Sequence, residues 1–270
     1  MEKYRLSELN EKLYEAVKRI TYEALGEVAT KYGSGYEDGD RPTKRDMAYH
    51  NLQHSWHVKS VAERLAGQYG LNAFDARLAA MIAAAHDVEH EPTADASAEL
   101  RSAEWLVWRM HVAGFNDEDK EIACLAIEGT TPLLGTDGAF AGQRYSSMRF
   151  PNERAETIAR CVAAADMSAA YSAHGPKAAH DLFKERAGLG AHERPATLEG
   201  LEEFQSGQIT FLERLEPVYP GVDQLLGGLK EQGMRYHTFL LQELRASRIT
   251  SWAEIERLDA EYAAGWSTER

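Results

Sequence analysis

The sequence predicts an all-α fold, a helical bundle, and three observations predict it. Apolar residues recur at helical spacing over most of the chain, capping residues stand where those stretches begin, and no stretch alternates as a half-buried strand would. No internal repeat, low-complexity segment or linker composition divides the 270 residues. One helical domain over 1–270 is therefore expected, with its core at 46–245 and its last helix, 251–264, at the periphery.

Each element follows from local pattern. Leu13, Val17, Ile20, Leu25 and Val28 form the buried side of a first helix over 7–31, with Ser7 placed to cap it. Residues 32–42, holding Gly33, Gly35, Gly39 and a proline, read as a turn-rich connection. Val58, Val61, Ala62 and Leu65 give the stripe of a second helix within 47–69, and Gly70 stands where a left-handed residue would end it. Asn72 or Asp75 can cap a third helix that is apolar nearly all round through Leu78–Ala85, which marks it as central; Glu91-Pro92-Thr93 stops it. Its alanines let neighbouring helices approach closely.

Further helices are expected over 97–110, over 117–129 behind Asn116, and over 152–171, where Asp166 directly follows the buried run Ile158, Cys161, Val162 and Ala165. Between the last two, 130–151 holds five glycines and prolines with no sustained period, a long loop of the kind that borders a site. Arg144, Arg149 and Arg154 around it are candidate phosphate contacts. A second loop over 188–195 precedes helices at 198–216, 222–246 and 251–264, the last opening with a Ser251/Glu254 capping box.

Composition narrows the function. A net charge of −13 excludes broad binding to nucleic-acid polymers or anionic membranes, which demands a basic face. An acidic chain that handles a phosphorylated small molecule must supply positive charge locally, and bound metal ions are the natural source. Cys124 and Cys161, far apart in apolar text, read as core thiols of a reducing compartment. Met1 runs directly into amphipathic sequence without an apolar leader, and Leu78–Ala85 is too short to cross a bilayer, so a cytoplasmic location is expected.

Two phrases carry the chemistry: Tyr49-His50-Asn51-Leu52-Gln53-His54 and Ala85-His86-Asp87-Val88-Glu89-His90. His50 and His54, and again His86 and His90, stand four apart, so on helices each pair would share a face. Two such helices side by side, with Asp87 beside His86, would offer imidazoles and a carboxylate to one cation. A single histidine would be unremarkable; four in paired spacing beside an aspartate point to a metal.

These motifs resemble those of the HD-domain metal-dependent phosphohydrolases. His50-Asn51-x-x-His54, His86-Asp87-x-x-His90 and Ala165-Asp166-Met167-Ser168 are similar to the versions in class I cyclic nucleotide phosphodiesterases and in a set of uncharacterised bacterial HD hydrolases. Glu99, in Ala98-Glu99-Leu100-Arg101-Ser102-Ala103, resembles an Asn-Glu-x-x-Ser-Ala signature of the bacterial set, with Ala98 replacing the asparagine. The resemblance spans about residues 46 to 245. It implies an HD-type bundle with a metal site between central helices, in which His54, His86, Asp87 and Asp166 hold a first divalent ion. Asp87 would bridge to a second ion whose other ligands are mostly water. It further implies that metal-activated water attacks a phosphoester, that His50 is the general acid, and that His90 and Glu99 orient or deprotonate that water.

Manganese, zinc, iron and magnesium all fit such ligands. Gln208 and Phe211, in Gln208-Ile209-Thr210-Phe211, resemble the Gln-x-x-Phe with which cyclic nucleotide phosphodiesterases read and stack a purine. The implied activity is hydrolysis of a phosphoester of a nucleotide or similar small molecule, a cyclic nucleotide being one candidate. Two alternatives stand beside it. An HD-type mixed-valent di-iron oxygenase needs more protein ligands on its second metal, for which only His90 and His111 are spare; a nucleotide-binding regulator would not need His50 as an acid.

Overall fold

A computed structural model of the chain describes residues 2–33, 47–90, 96–136, 140–219 and 221–265. Eleven α-helices and one two-stranded ribbon occur among them, so the all-α expectation holds. Of the expected connection over 32–42, Tyr32 ends the first helix, and the remainder beyond Gly33 lies outside the described residues, as does the Glu91-Pro92-Thr93 stop. No described helix is long and apolar enough to cross a membrane. The chain divides into two compact units: one holds the N-terminal helix, His50–Thr131 and Gln143–Asp166, and the other Pro132–Gly142, the chain from Met167 onward and a short stretch ending at Tyr49.

The first unit is built from α1 (Glu2–Tyr32), α2 (Leu52–Gln68), α3 (Ala73–Ala85), α4 (Ala98–Val112), α5 (Asp117–Gly129) and α6 (Glu153–Asp166). Four of these start on a side-chain cap. Asn51 Oδ1 accepts the N–H groups of Gln53 and His54, Asn72 those of Phe74 and Asp75, Ser97 that of Leu100 and Asn116 that of Asp119. Each cap satisfies donors that the first helical turn leaves open. Asn72, not Asp75, caps α3, and Asp75 takes another task. Arg154 donates through Nε and Nη2 to Asp75 Oδ1 at 2.9 and 2.7 Å and through Nη2 to Asp119 Oδ1 at 2.6 Å. This ties the first turns of α3, α5 and α6, so Arg154 is committed to the scaffold.

Helix α3 is buried from Leu78 through Ala85, with α1, α2 and α6 packed on it. Leu78, Met81 and Ile82 are fully buried, and truncating one to alanine would cost about 2–5 kcal/mol, a large part of a domain's net stability. Gly70, at φ +78°, ends the α2 turn as expected. Cys161 is wholly buried and Cys124 half-buried; burial pushes the Cys161 thiol up to about 12.

Several boundaries differ from expectation. Ser7 lies inside α1 rather than at its start. Helix α2 begins at Leu52, because Asn51 caps it, and α3 ends at Ala85, five residues before His90. The stretch expected as helix to Tyr171 becomes a tighter 3₁₀ turn from Met167. Within the expected loop, Pro132–Leu134 (β1) pairs with Phe140–Gln143 (β2); strands of three and four residues are too short to display alternation.

The second unit contains α7 (Gly175–Arg186), α8 (Leu201–Val218), α9 (Val222–Leu226), α10 (Lys230–Arg245) and α11 (Trp252–Ala263). Helix α7, with Pro176 in its first turn, has no counterpart in the sequence reading. The expected 222–246 helix is two, broken where Gly227 and Gly228 adopt φ +123° and +72°. Helix α11 is part of this unit's core: Trp252, Ile255, Leu258 and Tyr262 join Leu201, Tyr236, Leu240 and Leu244. Glu254 accepts the N–H of Ser251 at 3.0 Å, the returning half of the capping box.

A polar chain is buried beside these apolar residues. Tyr236 donates to Asp259 Oδ1 and His180 Nδ1 meets Asp259 Oδ2, both at 2.7 Å. Gln205 Nε2 meets His180 Nε2 and His237 Nδ1 meets Gln205 Oε1, both at 2.6 Å. His180, Gln205 and Asp259 thus use both polar atoms of their side chains.

Candidate metal centre

Three helix ends of the first unit meet at the candidate centre. His54 stands in the first turn of α2, its N–H held by the Asn51 cap. His86 is the C-cap of α3 and Asp87 follows it, while Asp166 is the last residue of α6. The C-terminal ends of α3 and α6 carry the negative ends of their helix dipoles, which favours a cation there.

The donor atoms face one another closely. His54 Nε2 is 3.4 Å from both Asp87 Oδ2 and Asp166 Oδ1; His86 Nε2 is 3.0 Å from Asp87 Oδ2 and 3.4 Å from Asp166 Oδ1. His86 Nδ1 lies 2.7 Å from the Ala83 carbonyl, to which it donates, so Nε2 is the ring atom turned toward the cluster. His86 Nε2 and Asp87 Oδ2 are buried without a hydrogen-bond partner, a costly arrangement unless something else fills their valence. Donor atoms about 2.1 Å from a common ion lie roughly 3.0–3.4 Å apart at octahedral or tetrahedral angles, so the spacing fits a cation.

Electrostatics follow the same geometry. Burial opposes charge on His86, but the Asp87 and Asp166 carboxylates outweigh it and raise its pKa well above the ordinary value; His54 is raised by the same balance. Burial would raise both aspartates, yet the facing imidazoles hold Asp87 well below the carboxylate range and bring Asp166 to about 2.

His50 and His90 stand at the edge of this cluster, by a different route from the one expected. Neither is on a helix: His50 precedes the Asn51 cap and His90 lies beyond the end of α3. Shared helix faces therefore do not explain their proximity. Instead the ring of His50 stacks on that of His90, centroids 3.9 Å apart, and His90 Nδ1 is 3.9 Å from Asp87 Oδ1. Asp87 thus presents one oxygen to His54 and His86 and the other toward His90. Among the described residues, His50, Asp87 and His90 form a second group with metal-ligand spacing, beside His54, His86 and Asp87.

Glu99, half-buried in the first turn of α4, belongs to neither group. Its neighbours in the same signature reach the site's backbone instead. Ser102 Oγ accepts the Glu89 N–H at 3.0 Å and donates to the Glu89 carbonyl at 3.1 Å, and Arg101 pairs with the Glu89 carboxylate at 2.8 Å. Lys31 binds that carboxylate at 2.6 Å, and Tyr32 Oη accepts the His90 N–H at 2.8 Å. The turn from Asp87 to His90 is pinned from two helices.

Gln143, the last residue of β2, is the residue that sequence reasoning missed. It is fully buried, and its Nε2 donates to Asp166 Oδ2 at 2.8 Å and to the Thr130 carbonyl at 3.0 Å. Gln208 and Phe211 lie on α8 of the second unit, where Phe211 packs edge-on against Phe140 at 4.9 Å and Arg214 donates to the Phe140 carbonyl at 2.8 Å. Arg144 is exposed, 3.4 Å from Glu128.

No protein-family model and no curated protein matches the chain. Among solved structures it is similar to a crystal structure from Lactobacillus plantarum, with 15% identity and a TM-score of 0.51 over 86% of this chain and 96% of that one. That likeness is one of fold. The crystal structure of Bacillus subtilis YpgQ in complex with ADP aligns at 13% identity and a TM-score of 0.48, over 87% of this chain and 94% of that one.

Proposed function

We propose that the chain is a metal-dependent phosphohydrolase of the HD type, cleaving a phosphoester of a nucleotide or similar small molecule. One observation carries this reading: His86 Nε2 and Asp87 Oδ2 are buried 3.0 Å apart without a hydrogen-bond partner, in a group with His54 whose spacing suits a metal, and Asp166 Oδ1 lies 3.4 Å from both imidazoles. Two imidazoles and two carboxylates suit zinc, iron or manganese, and magnesium or manganese suits a second, water-rich position. His54, His86, Asp87 and Asp166 would hold the first ion, and Asp87 would be shared with a second. Ions so bound neutralise phosphate charge and make water a nucleophile near neutral pH.

His50 is the candidate proton donor to the leaving oxygen. It is half-buried, hence reachable, and its ring is held by stacking on His90, whose Nδ1 faces Asp87. His90 orients that acid. Glu99, half-buried in the first turn of α4, is left without a role in this assignment. Gln208 and Phe211 are proposed to read a nucleobase, the amide donating and accepting along a purine edge.

The test is product release from cyclic mononucleotides, nucleoside mono- and triphosphates and a chromogenic phosphodiester, with manganese, magnesium or zinc. Turnover of a cyclic nucleotide that falls in Gln208→Ala supports a cyclic nucleotide phosphodiesterase. Activity confined to monoesters or triphosphates moves the chain to general nucleotide phosphohydrolases. A second reading, a mixed-valent di-iron oxygenase, is favoured by the His50–Asp87–His90 group, which offers a second ion more protein ligands than the sequence suggested. Iron retention with substrate-dependent oxygen uptake, and no phosphoester turnover, would decide for it.

A further inference from the structure

We propose that Gln143 is a positioning residue that makes Asp166 a one-oxygen ligand; the inference rests on the metal-binding reading above. Asp166 closes α6, and a carboxylate there could meet a cation with either oxygen or both. Gln143 removes that freedom. One N–H of its amide goes to Asp166 Oδ2 at 2.8 Å and the other to the Thr130 carbonyl at 3.0 Å, which leaves Asp166 Oδ1 facing His54 and His86 at 3.4 Å each.

The glutamine is itself held at several points. Thr130 is the C-cap of α5, and the neighbouring Arg144 N–H donates to the Thr131 carbonyl at 2.8 Å, so the end of β2 is fastened to the end of α5. Side-chain choice supports the role as well. A lysine or arginine would hold Asp166 equally firmly but would neutralise the charge that attracts a cation, whereas an amide orients the carboxylate and leaves it anionic.

Cobalt(II) tests this, because its visible d–d bands report coordination number and symmetry independently of any turnover. Gln143→Met keeps length and volume but removes both N–H donors; Gln143→Asn keeps the amide one methylene short. The expected result is a cobalt dissociation constant raised roughly 10–100-fold in Gln143→Met, with altered d–d intensities as Asp166 engages through both oxygens, and a smaller change in Gln143→Asn. A merely structural role would lower the melting temperature and leave the cobalt spectrum unchanged. Wild type that binds cobalt, with a folded variant identical to it in spectrum and affinity, overturns the inference alone. Wild type that takes up no cobalt overturns the metal centre and the inference together.

Discussion

Each unit of the chain buries histidines against aspartate, and the two clusters are finished differently. In the second unit, the path Tyr236–Asp259–His180–Gln205–His237 converges on the Asp259 carboxylate, which accepts from both sides, and its three middle members have both polar atoms engaged at 2.6–2.7 Å. In the first unit, His86 Nε2 and Asp87 Oδ2 stand 3.0 Å apart, buried, and make no hydrogen bond. The same residue types therefore serve two ends. A closed network stabilises packing and needs nothing further, while an open one leaves buried atoms able to hold a ligand.

The largest effect is expected from Asp87→Ala, which deletes the carboxylate facing His54, His86 and His90. Bound metal by elemental analysis should disappear and turnover should fall by about 10³-fold or more. A variant that kept both would erase the distinction between the clusters. His50→Ala should lower turnover by roughly 10²–10⁴-fold while leaving metal content intact, because its assigned task is proton transfer. Metal lost along with turnover would make His50 a ligand.

The closed network should respond in stability and not in metal. Asp259→Ala removes the acceptor of the Tyr236 hydroxyl and of His180 Nδ1, and chemical denaturation should show a loss of about 3–5 kcal/mol with metal content unchanged. A smaller, graded effect is expected from pH. Burial, and then the neighbouring His180, depress the His237 pKa to about 3. The unfolded chain then binds a proton that the folded chain refuses. The contribution is full above about pH 6.5 and is lost toward pH 3 at about 1.4 kcal/mol per pH unit. Denaturation midpoints across that window should flatten in His237→Asn, whose amide can replace the Nδ1–H; an unchanged slope would assign the acid sensitivity elsewhere.

Much of the helical framework was legible because a helix writes its period and its caps into neighbouring residues: Asn116, Gly70 and the apolar run Leu78–Ala85 behave as their spacing predicts. His54, His86, Asp87 and Asp166 were legible as motifs, and the structure brings their side chains together. The route was not. Spacing by four suggested shared helix faces, yet His50 and His90 lie off the helix ends and meet by stacking. Gln143 left no local trace because its partner is 23 residues away and its strand is four residues long. Likewise Gly227 and Gly228 break a helix that the flanking apolar pattern runs straight through.

The Arg154 bridge to Asp75 has a consequence at the far end of the same helices. Asp75 and Arg154 lie in the first turns of α3 and α6, and His86 and Asp166 close those helices. Eleven residues separate Asp75 from His86 and twelve separate Arg154 from Asp166, lengths of about 16.5 and 18 Å at the helical rise. The two helices act as length-matched struts bolted at their base. Inserting or deleting one residue in either would leave the bolt in place, yet it would advance the ligand by about 1.5 Å and swing it by roughly 100°. A change of length in either strut would thus misplace its ligand even where every packed side chain is kept.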